Sequence, residues 1–377
     1  LYDKLVDFDP LDLAAGIKPS LAESWEVSED GKTITLTMRE GVKFQSGNPV
    51  RAEDAAWSLQ RAVKMNKSPA FILNQFGFTP ENVDQTVTFD GNKLILNMDQ
   101  PYAQSFVLNS LASEVGSVVD KETVMAHVEG DDFGNAWLST NAAGSGAFSL
   151  GAWKPNEAVQ LLANADYWQG APGVERIIWR TIPEESTRVA ELLAGSVDMI
   201  YPVTPDFVGQ LRDAKMKLET VPGASTRMLQ MNVREGWRFA DPEVRRAMNM
   251  AIDKQAIVDH IYQGLALTYE QVAGIGQEGF VADYDPFPYD PEAARPILAK
   301  VTAPIELFVE PRWELAAEFI AEQLRGYGMN VKAVPLETAA LAKANEDGAF
   351  DLMLTGAGYG TREFVGAYYN NQFECSR

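Results

Sequence analysis

The feature that most constrains the fold is an alternation of strand and helix patterns in the last quarter of the chain. Apolar residues alternate over 305–309 and again over 329–334, and between them residues 313–324 repeat apolar side chains at helical spacing. A third strand is predicted over 349–354. Strands joined through helices form largely parallel sheets, and ligands collect beyond the carboxyl ends of such strands. We therefore predict an α/β fold with a site in the loops after the strands 305–309 and 349–354.

Helix signals precede this region. Asp241 is a suitable N-cap, and Asp253 is a suitable N-cap for the next helix. Further upstream, Pro183 precedes a helical run that Gly195 can end in a left-handed conformation, and residues 197–200 have the pattern of a strand. These signals extend the α/β pattern towards the middle of the chain.

The N-terminal part has a different pattern, that of antiparallel hairpins. Residues 25–38 alternate around a turn at Asp30-Gly31, and residues 83–98 alternate around a turn at 90–92. A helix is predicted between them, over 52–63. The change of pattern along the chain predicts more than one domain. The length agrees, since 377 residues exceed the roughly 250–300 at which single cores stop growing.

Charge and composition exclude several classes of function. The formal net charge is -21, so nucleic acid would be repelled from most of the surface. No apolar run approaches the roughly 20 residues that a membrane-spanning helix requires. A single cysteine, Cys375, excludes an internal disulfide framework and any multi-cysteine metal site.

The sequence contains no motif that indicates a catalytic site. The two histidines, His127 and His260, lack the partners that a hydrolytic triad or a zinc site needs. The glycines of 356–360 follow a predicted strand, but the dinucleotide-binding pattern requires a third glycine where Thr361 stands. Binding needs less: a cleft with aromatic walls and a few placed polar groups. Trp153 and Trp237 are candidates for such walls, with burial in the core as the alternative.

An ordered set of segments resembles one family along nearly the whole chain. The segments are residues 20–44, Gly47 to Trp57 with Ala52-Glu53-Asp54, Gly144-Ser145-Gly146-Ala147-Phe148, Trp153-Lys154-Pro155, Asn164-Ala165-Asp166-Tyr167-Trp168, 182–198 and 244–254. In this order they resemble the extracellular solute-binding proteins of the peptide, opine and nickel type, family 5. Each match is weak alone, and the ordered set is specific.

The resemblance implies a two-lobed periplasmic-binding-protein type II fold with an extra hairpin-rich subdomain in the first lobe. We expect a first lobe over 1–230, containing this subdomain over 20–140, and a second lobe over 231–377, with a hinge strand at 228–232. The lobes of such proteins close over a ligand and deliver it to the membrane permease of an ABC importer.

The same resemblance implies a cellular location and an oligomeric state for the protein. We expect a periplasmic location, or an extracellular one with a lipid anchor, a monomer, and no cofactor. Two alternatives remain: a secreted hydrolase of unrecognised type, and a ligand-sensing partner of a chemoreceptor. The family also continues beyond both ends of this sequence, which implies truncation and leaves Cys375 as either a disulfide half or a free thiol.

The candidate ligand-binding residues follow from the same comparison. Relatives place an arginine that meets a ligand carboxylate in the loop after the strand 305–309, which implies roles for Arg312 and Trp313. A second set comprises Tyr359, Thr361 and Arg362. The alternative for both sets is a solvated loop surface. Two arginines in one cleft predict an anionic ligand such as an opine, a phosphorylated sugar conjugate or an acidic peptide.

Two departures from the family pattern qualify this expectation. Ala147 stands where the family's glycine-rich turn has proline. Residues 360–363 read Gly-Thr-Arg-Glu where peptide-binding relatives have an acidic loop whose carboxylate holds the peptide amino group. A free peptide is therefore not the favoured ligand.

Overall fold

A computed structural model describes residues 1–9, 12–220, 225–268, 270–271 and 280–358. The chain divides into two compact units, the first formed by Leu1–Thr187 and the second beginning at Arg188. The predicted lobe boundary at residue 230 stays a prediction; the boundary between the compact units falls earlier.

The secondary structure is mixed. The strands are β1 (Val6–Asp9), β2 (Asp12–Pro19), β3 (Ala22–Val27), β4 (Thr33–Met38), β5 (Val87–Asp90), β6 (Lys93–Asn97), β7 (Phe148–Lys154), β8 (Ala158–Ala163), β9 (Arg176–Arg180), β10 (Ser225–Met231), β11 (Ile305–Val309), β12 (Val331–Pro335) and β13 (Leu352–Gly358). The helices are α1 (Ala52–Met65), α2 (Phe71–Asn74), α3 (Val83–Thr86), α4 (Gln104–Leu111), α5 (Lys121–Met125), α6 (Asn135–Leu138), α7 (Glu185–Leu193), α8 (Pro205–Asp213), α9 (Pro242–Ala251), α10 (Lys254–His260), α11 (Pro291–Leu298), α12 (Glu314–Arg325) and α13 (Thr338–Asp347).

The two predicted hairpins form one antiparallel sheet in the first unit, with strand order β3-β4-β6-β5. The alternation of strand β4 buries Ile34, Leu36 and Met38 completely on one face. The buried side chains of helix α1, such as Leu59, lie in the same hydrophobic core as these three side chains. The hairpin and helix predictions are confirmed, with one correction. Val83 begins the short helix α3 instead of a strand, because its amide donates to the carbonyl of Thr79 and closes a turn there.

A half-buried aspartate, Asp3, explains two of the glycine- and aromatic-rich segments. Asp3 accepts hydrogen bonds from the hydroxyls of Ser145 and Tyr167 and from the indole N–H of Trp168, at 2.8–2.9 Å. A Cβ at Gly144 would overlap the carbonyl oxygen of Leu1. These residues therefore hold the N-terminal segment of the first unit in place.

The second unit has the predicted α/β sheet, with strand order β10-β13-β11-β12. Strand β11 is parallel to both of its neighbours, and β10 pairs antiparallel with β13 at the edge. Helix α12 covers the sheet with Ala317, Ala321 and Leu324, all fully buried. The predicted strand 349–354 is displaced: it begins at 352 and continues to 358, because the pairing with β10 extends it.

The helix caps of the second unit agree with the sequence. Asp241 accepts from the amide of Glu243, and Asp253 accepts from that of Ala256, each at 2.8 Å.

Residues 197–200 form no strand, contrary to the prediction. Met199 is 74% exposed, so the alternation there has no buried face to pair against a sheet.

Candidate functional site

The loop after β11 positions the predicted arginine and tryptophan. Strand β11 ends at Val309, and Pro311–Trp313 form a single 3-10 turn that leads into α12. The amide of Trp313 donates to the carbonyl of Glu310 at 2.9 Å, which closes that turn. Arg312 and Trp313 therefore lie at the carboxyl end of a parallel strand, where α/β sheets bind their ligands.

Arg312 already has a carboxylate partner. Its Nε and Nη2 both lie 2.6 Å from Oε2 of Glu310. The arginine side chain is 67% exposed, whereas that of Glu310 is 13% exposed. The guanidinium carbon lies 4.3 Å from the centroid of the Trp313 ring, close enough for a cation–π interaction. The carboxylate thus holds one edge of Arg312 in place.

A second arginine, Arg227, contacts the same indole. Its guanidinium carbon lies 3.9 Å from the Trp313 centroid. Arg227 is in β10, directly opposite Gly356 of β13. A Cβ at Gly356 would come 2.7 Å from Nη1 of Arg227 and 2.9 Å from Cη2 of Trp313, so the glycine makes room for the stacked pair. Gly356 lies inside strand β13, whereas the dinucleotide-binding pattern needs its first glycine in the turn after a strand, so the position of Gly356 does not fit that pattern.

We call Arg227, Tyr262, Glu310, Arg312 and Trp313 the Trp313 cluster. Burial lowers the pKa of Arg227, and the nearby charge of Arg312 lowers it further. Tyr262 and Glu310 act in the opposite direction, because negative charge on either favours the protonated guanidinium. Burial raises the pKa of Tyr262, so its phenol stays protonated and able to donate at neutral pH. The partly desolvated guanidinium of Arg227 and the exposed one of Arg312, beside a neutral phenol, form a surface suited to an anion.

The remaining predicted site residues have different outcomes. Tyr359, Thr361 and Arg362 lie outside the described residues, as do the loop 360–363 and Cys375. Trp153 is 46% exposed in β7, and Trp237 is partly buried in the second unit.

Arg227 was missed by sequence reasoning. It lies on an edge strand whose pairing with Gly356 spans more than a hundred residues, and a single sequence gives no register over that distance. The available signal was an arginine within a predicted strand region together with a glycine in another strand.

A surface pocket in the first unit, of about 210 Å³, is a weaker candidate. Asp120 lines it but accepts hydrogen bonds from the hydroxyls of Ser46 and Thr123 at 2.6 Å and from the amide group of Asn48 at 3.1 Å. Its carboxylate is therefore occupied by the structure of the unit itself.

The histidines are accounted for by packing. The ring of His127 stacks on that of Trp137 at 4.5 Å, and His260 ends helix α10. Within the described part of the chain, no cluster of three His, Cys, Asp or Glu side chains could hold a metal ion. Likewise, no helix among the described residues is long and apolar enough to cross a membrane.

Comparison with known proteins defines the class. The second unit has an α/β sheet, and the model of the bacterial extracellular solute-binding proteins, family 5 (middle region), matches residues 16–375. The chain belongs to this family.

Its relatives bind several kinds of small molecule. The glutathione-binding protein GsiB of Salmonella typhi is 28% identical over 342 residues, which cover 88% of this chain and 64% of that protein. The periplasmic binding protein DppA from Helicobacter pylori, in complex with the peptide STSA, has a TM-score of 0.75 at 24% identity, covering 95% of this chain and 72% of that one. The binding protein AgaA from A. tumefaciens R10, in complex with agropinic acid, has a TM-score of 0.74 at 23% identity, covering 98% and 73%.

These structures confirm the two-lobed periplasmic-binding-protein fold. The chain spans about two thirds of the length of the curated relative.

Proposed function

We propose that this chain captures a small anionic ligand outside the cytoplasm and delivers it to the permease of an ABC importer. The carrying observation is the Trp313 ring stacked against two guanidiniums at the carboxyl end of β11. The family supplies the transport role, since its members are extracellular solute-binding proteins. The ligand classes that we propose are opines, acidic peptides and sugar conjugates.

We infer an anionic ligand from the contrast between the negative charge of the whole protein and the arginines of the Trp313 cluster. The protein as a whole carries a formal charge of -21, so a cationic solute would be attracted to most of its surface. An anion would be held only where positive charge is concentrated, and Arg227 and Arg312 provide such a place. Arginine suits this role because its planar fork binds a carboxylate through two parallel hydrogen bonds.

Trp313 makes the site selective for the shape of the ligand as well as for its charge. Its ring fixes Arg227 by a cation–π contact, which reduces the conformational entropy that a free arginine would lose on binding. A ligand with a carboxylate beside an apolar group would meet the guanidiniums and the edge of the indole together. Opines and acylated or peptide-like acids have this arrangement.

Two other functions compete with this proposal. A secreted hydrolase would turn over a substrate, and the relatives of this chain are named as binding proteins. A chemoreceptor partner would bind the same ligand but would retain a receptor domain in a pull-down. We propose that the protein is not an enzyme.

The test is a ligand panel read by thermal unfolding. A ligand at about 100 times its Kd stabilises the folded state by about 2.7 kcal/mol. We expect stabilisation by carboxylates and its loss in Arg227→Met. Arg246→Met is the matched control, because Arg246 is an exposed arginine of α9. Stabilisation only by neutral or cationic solutes would contradict the proposal.

A further inference from the structure

Arg312 is a mostly exposed side chain that is nevertheless held on two sides. Its Nε and Nη2 both lie 2.6 Å from Oε2 of Glu310. Its guanidinium carbon lies 4.3 Å from the centroid of the Trp313 ring, so the indole covers one face of the group. An arginine that is 67% exposed and not held in this way would sample many rotamers and would lose that freedom on binding a ligand.

Glu310 is the fixed partner of this pair. Its side chain is only 13% exposed, and strand β11 ends at the residue before it. Its carbonyl oxygen accepts from the amide of Trp313 at 2.9 Å, which holds its backbone in the turn. An ion pair between two exposed side chains orders neither of them well, whereas a mostly buried carboxylate attached to a sheet can order the arginine.

The chemistry of the guanidinium defines which donors of Arg312 remain. The group has five N–H donors, one on Nε and two on each Nη nitrogen. The bond to Glu310 uses the edge formed by Nε and Nη2. The end-on edge, formed by Nη1 and Nη2, presents two parallel N–H groups, which is the arrangement that binds a carboxylate through two hydrogen bonds.

We infer that Glu310 is a positioning residue for ligand binding, which fixes Arg312 so that its end-on edge is presented to the ligand carboxylate. The carboxylate then binds in the plane of the guanidinium through Nη1 and Nη2, and Glu310 keeps its bond to Nε throughout. This inference rests on the proposed function and adds to it the orientation of the ligand.

Two neutral replacements of Glu310 separate positioning from charge. Glu310→Gln and Glu310→Met both remove the negative charge and nearly keep the length of the side chain, but only glutamine keeps an oxygen that accepts from Arg312. Sodium propionate is the probe, and its dissociation constant is measured by NMR through the indole N–H signal of Trp313. The chain has 8 tryptophans, so this signal is assigned by its absence in Trp313→Phe.

Propionate should bind Glu310→Met about two- to tenfold more weakly than Glu310→Gln, because the methionine variant must order Arg312 when the ligand binds. Glu314 provides the matched control, since this exposed glutamate begins α12. Glu314→Gln and Glu314→Met should bind propionate equally. Folding of each variant is checked by its denaturation midpoint, and a merely structural role of Glu310 would change that midpoint without separating the two affinities.

A second measurement needs no substitution of Glu310. The Nε–H signal of Arg312 is followed in isotope-labelled wild-type protein and assigned by its absence in Arg312→Lys. Saturation with propionate should leave this proton slow to exchange with water, because Glu310 keeps its bond to Nε. Faster exchange in the bound state would show that the ligand displaces Glu310, and it would overturn the inference.

The outcomes distinguish the inference from the proposed function. If propionate binds the wild type but binds Glu310→Gln and Glu310→Met equally, the inference is wrong and the proposed anion site stands. If propionate does not move the Trp313 signal in the wild type, the proposed anion site is itself wrong, and the positioning role of Glu310 is wrong with it.

Discussion

Gly356→Ala tests the cluster without touching any group that would bind the ligand. The new Cβ would lie 2.7 Å from Nη1 of Arg227 and 2.9 Å from the indole of Trp313. Carbon atoms in contact ordinarily lie about 3.5–4.0 Å apart. The guanidinium and the indole ring must therefore each move about 1 Å away from the new Cβ, which disturbs their stacking. The stack contributes about 0.5–2 kcal/mol, and a hydrogen bond to a charged group about 1.5–3 kcal/mol.

We therefore expect the affinity for the best carboxylate of the ligand panel to fall by about 2 kcal/mol, or about 30-fold, measured by isothermal titration calorimetry. The free energy of unfolding should change by less than about 1 kcal/mol, because the obstructing atoms are side-chain ends and alanine suits a strand better than glycine. Gly173→Ala is the control, since a Cβ there meets nothing within 4 Å. Unchanged affinity in a folded Gly356→Ala protein would refute the role of the stack.

Two predictions concern stability. Asp120 is buried; burial opposes ionisation, but hydrogen bonds from Ser46 and Thr123 hold its pKa below the usual value. A depressed pKa gives stability that is present above the unfolded-state value of about 3.9 and lost as the pH falls through the folded-state value. Asp120→Asn should therefore lower the free energy of unfolding in urea at neutral pH by about 1–3 kcal/mol and flatten its fall below about pH 4. An unaltered acid dependence would contradict this. Gly348 ends α13 with a φ of +62°, and a Cβ there would overlap the guanidinium of Arg234. Gly348→Ala should cost about 1–2 kcal/mol in the same assay, against near neutrality for Gly173→Ala.

Local patterns predicted local structure well. The hairpins over 25–38 and 87–97, and the helices capped by Asp241 and Asp253, follow from periodicity and capping, which act over a few residues. The strand predicted over 197–200 failed because alternation says nothing about whether a neighbouring strand exists. The extension of β13 to residue 358 depends on pairing with β10, more than a hundred residues earlier.

The same limit applied to the candidate site. Arg312 and Trp313 could be predicted because they follow a strand directly and resemble a family position. Arg227 could not, because its approach to Trp313 depends on the register of two strands that are distant in sequence. The pairing of Arg312 with Glu310 is local, two residues apart, and it was overlooked because the sequence gives no rotamers.

Native mass spectrometry of the protein as purified tests the central claim most directly, since tight binding proteins retain their cargo. We predict an adduct whose mass matches a small carboxylic acid, present in the wild type and in Arg246→Met and absent in Arg227→Met. A neutral or cationic adduct, or one that survives in Arg227→Met, would contradict an anion site built on the Trp313 cluster.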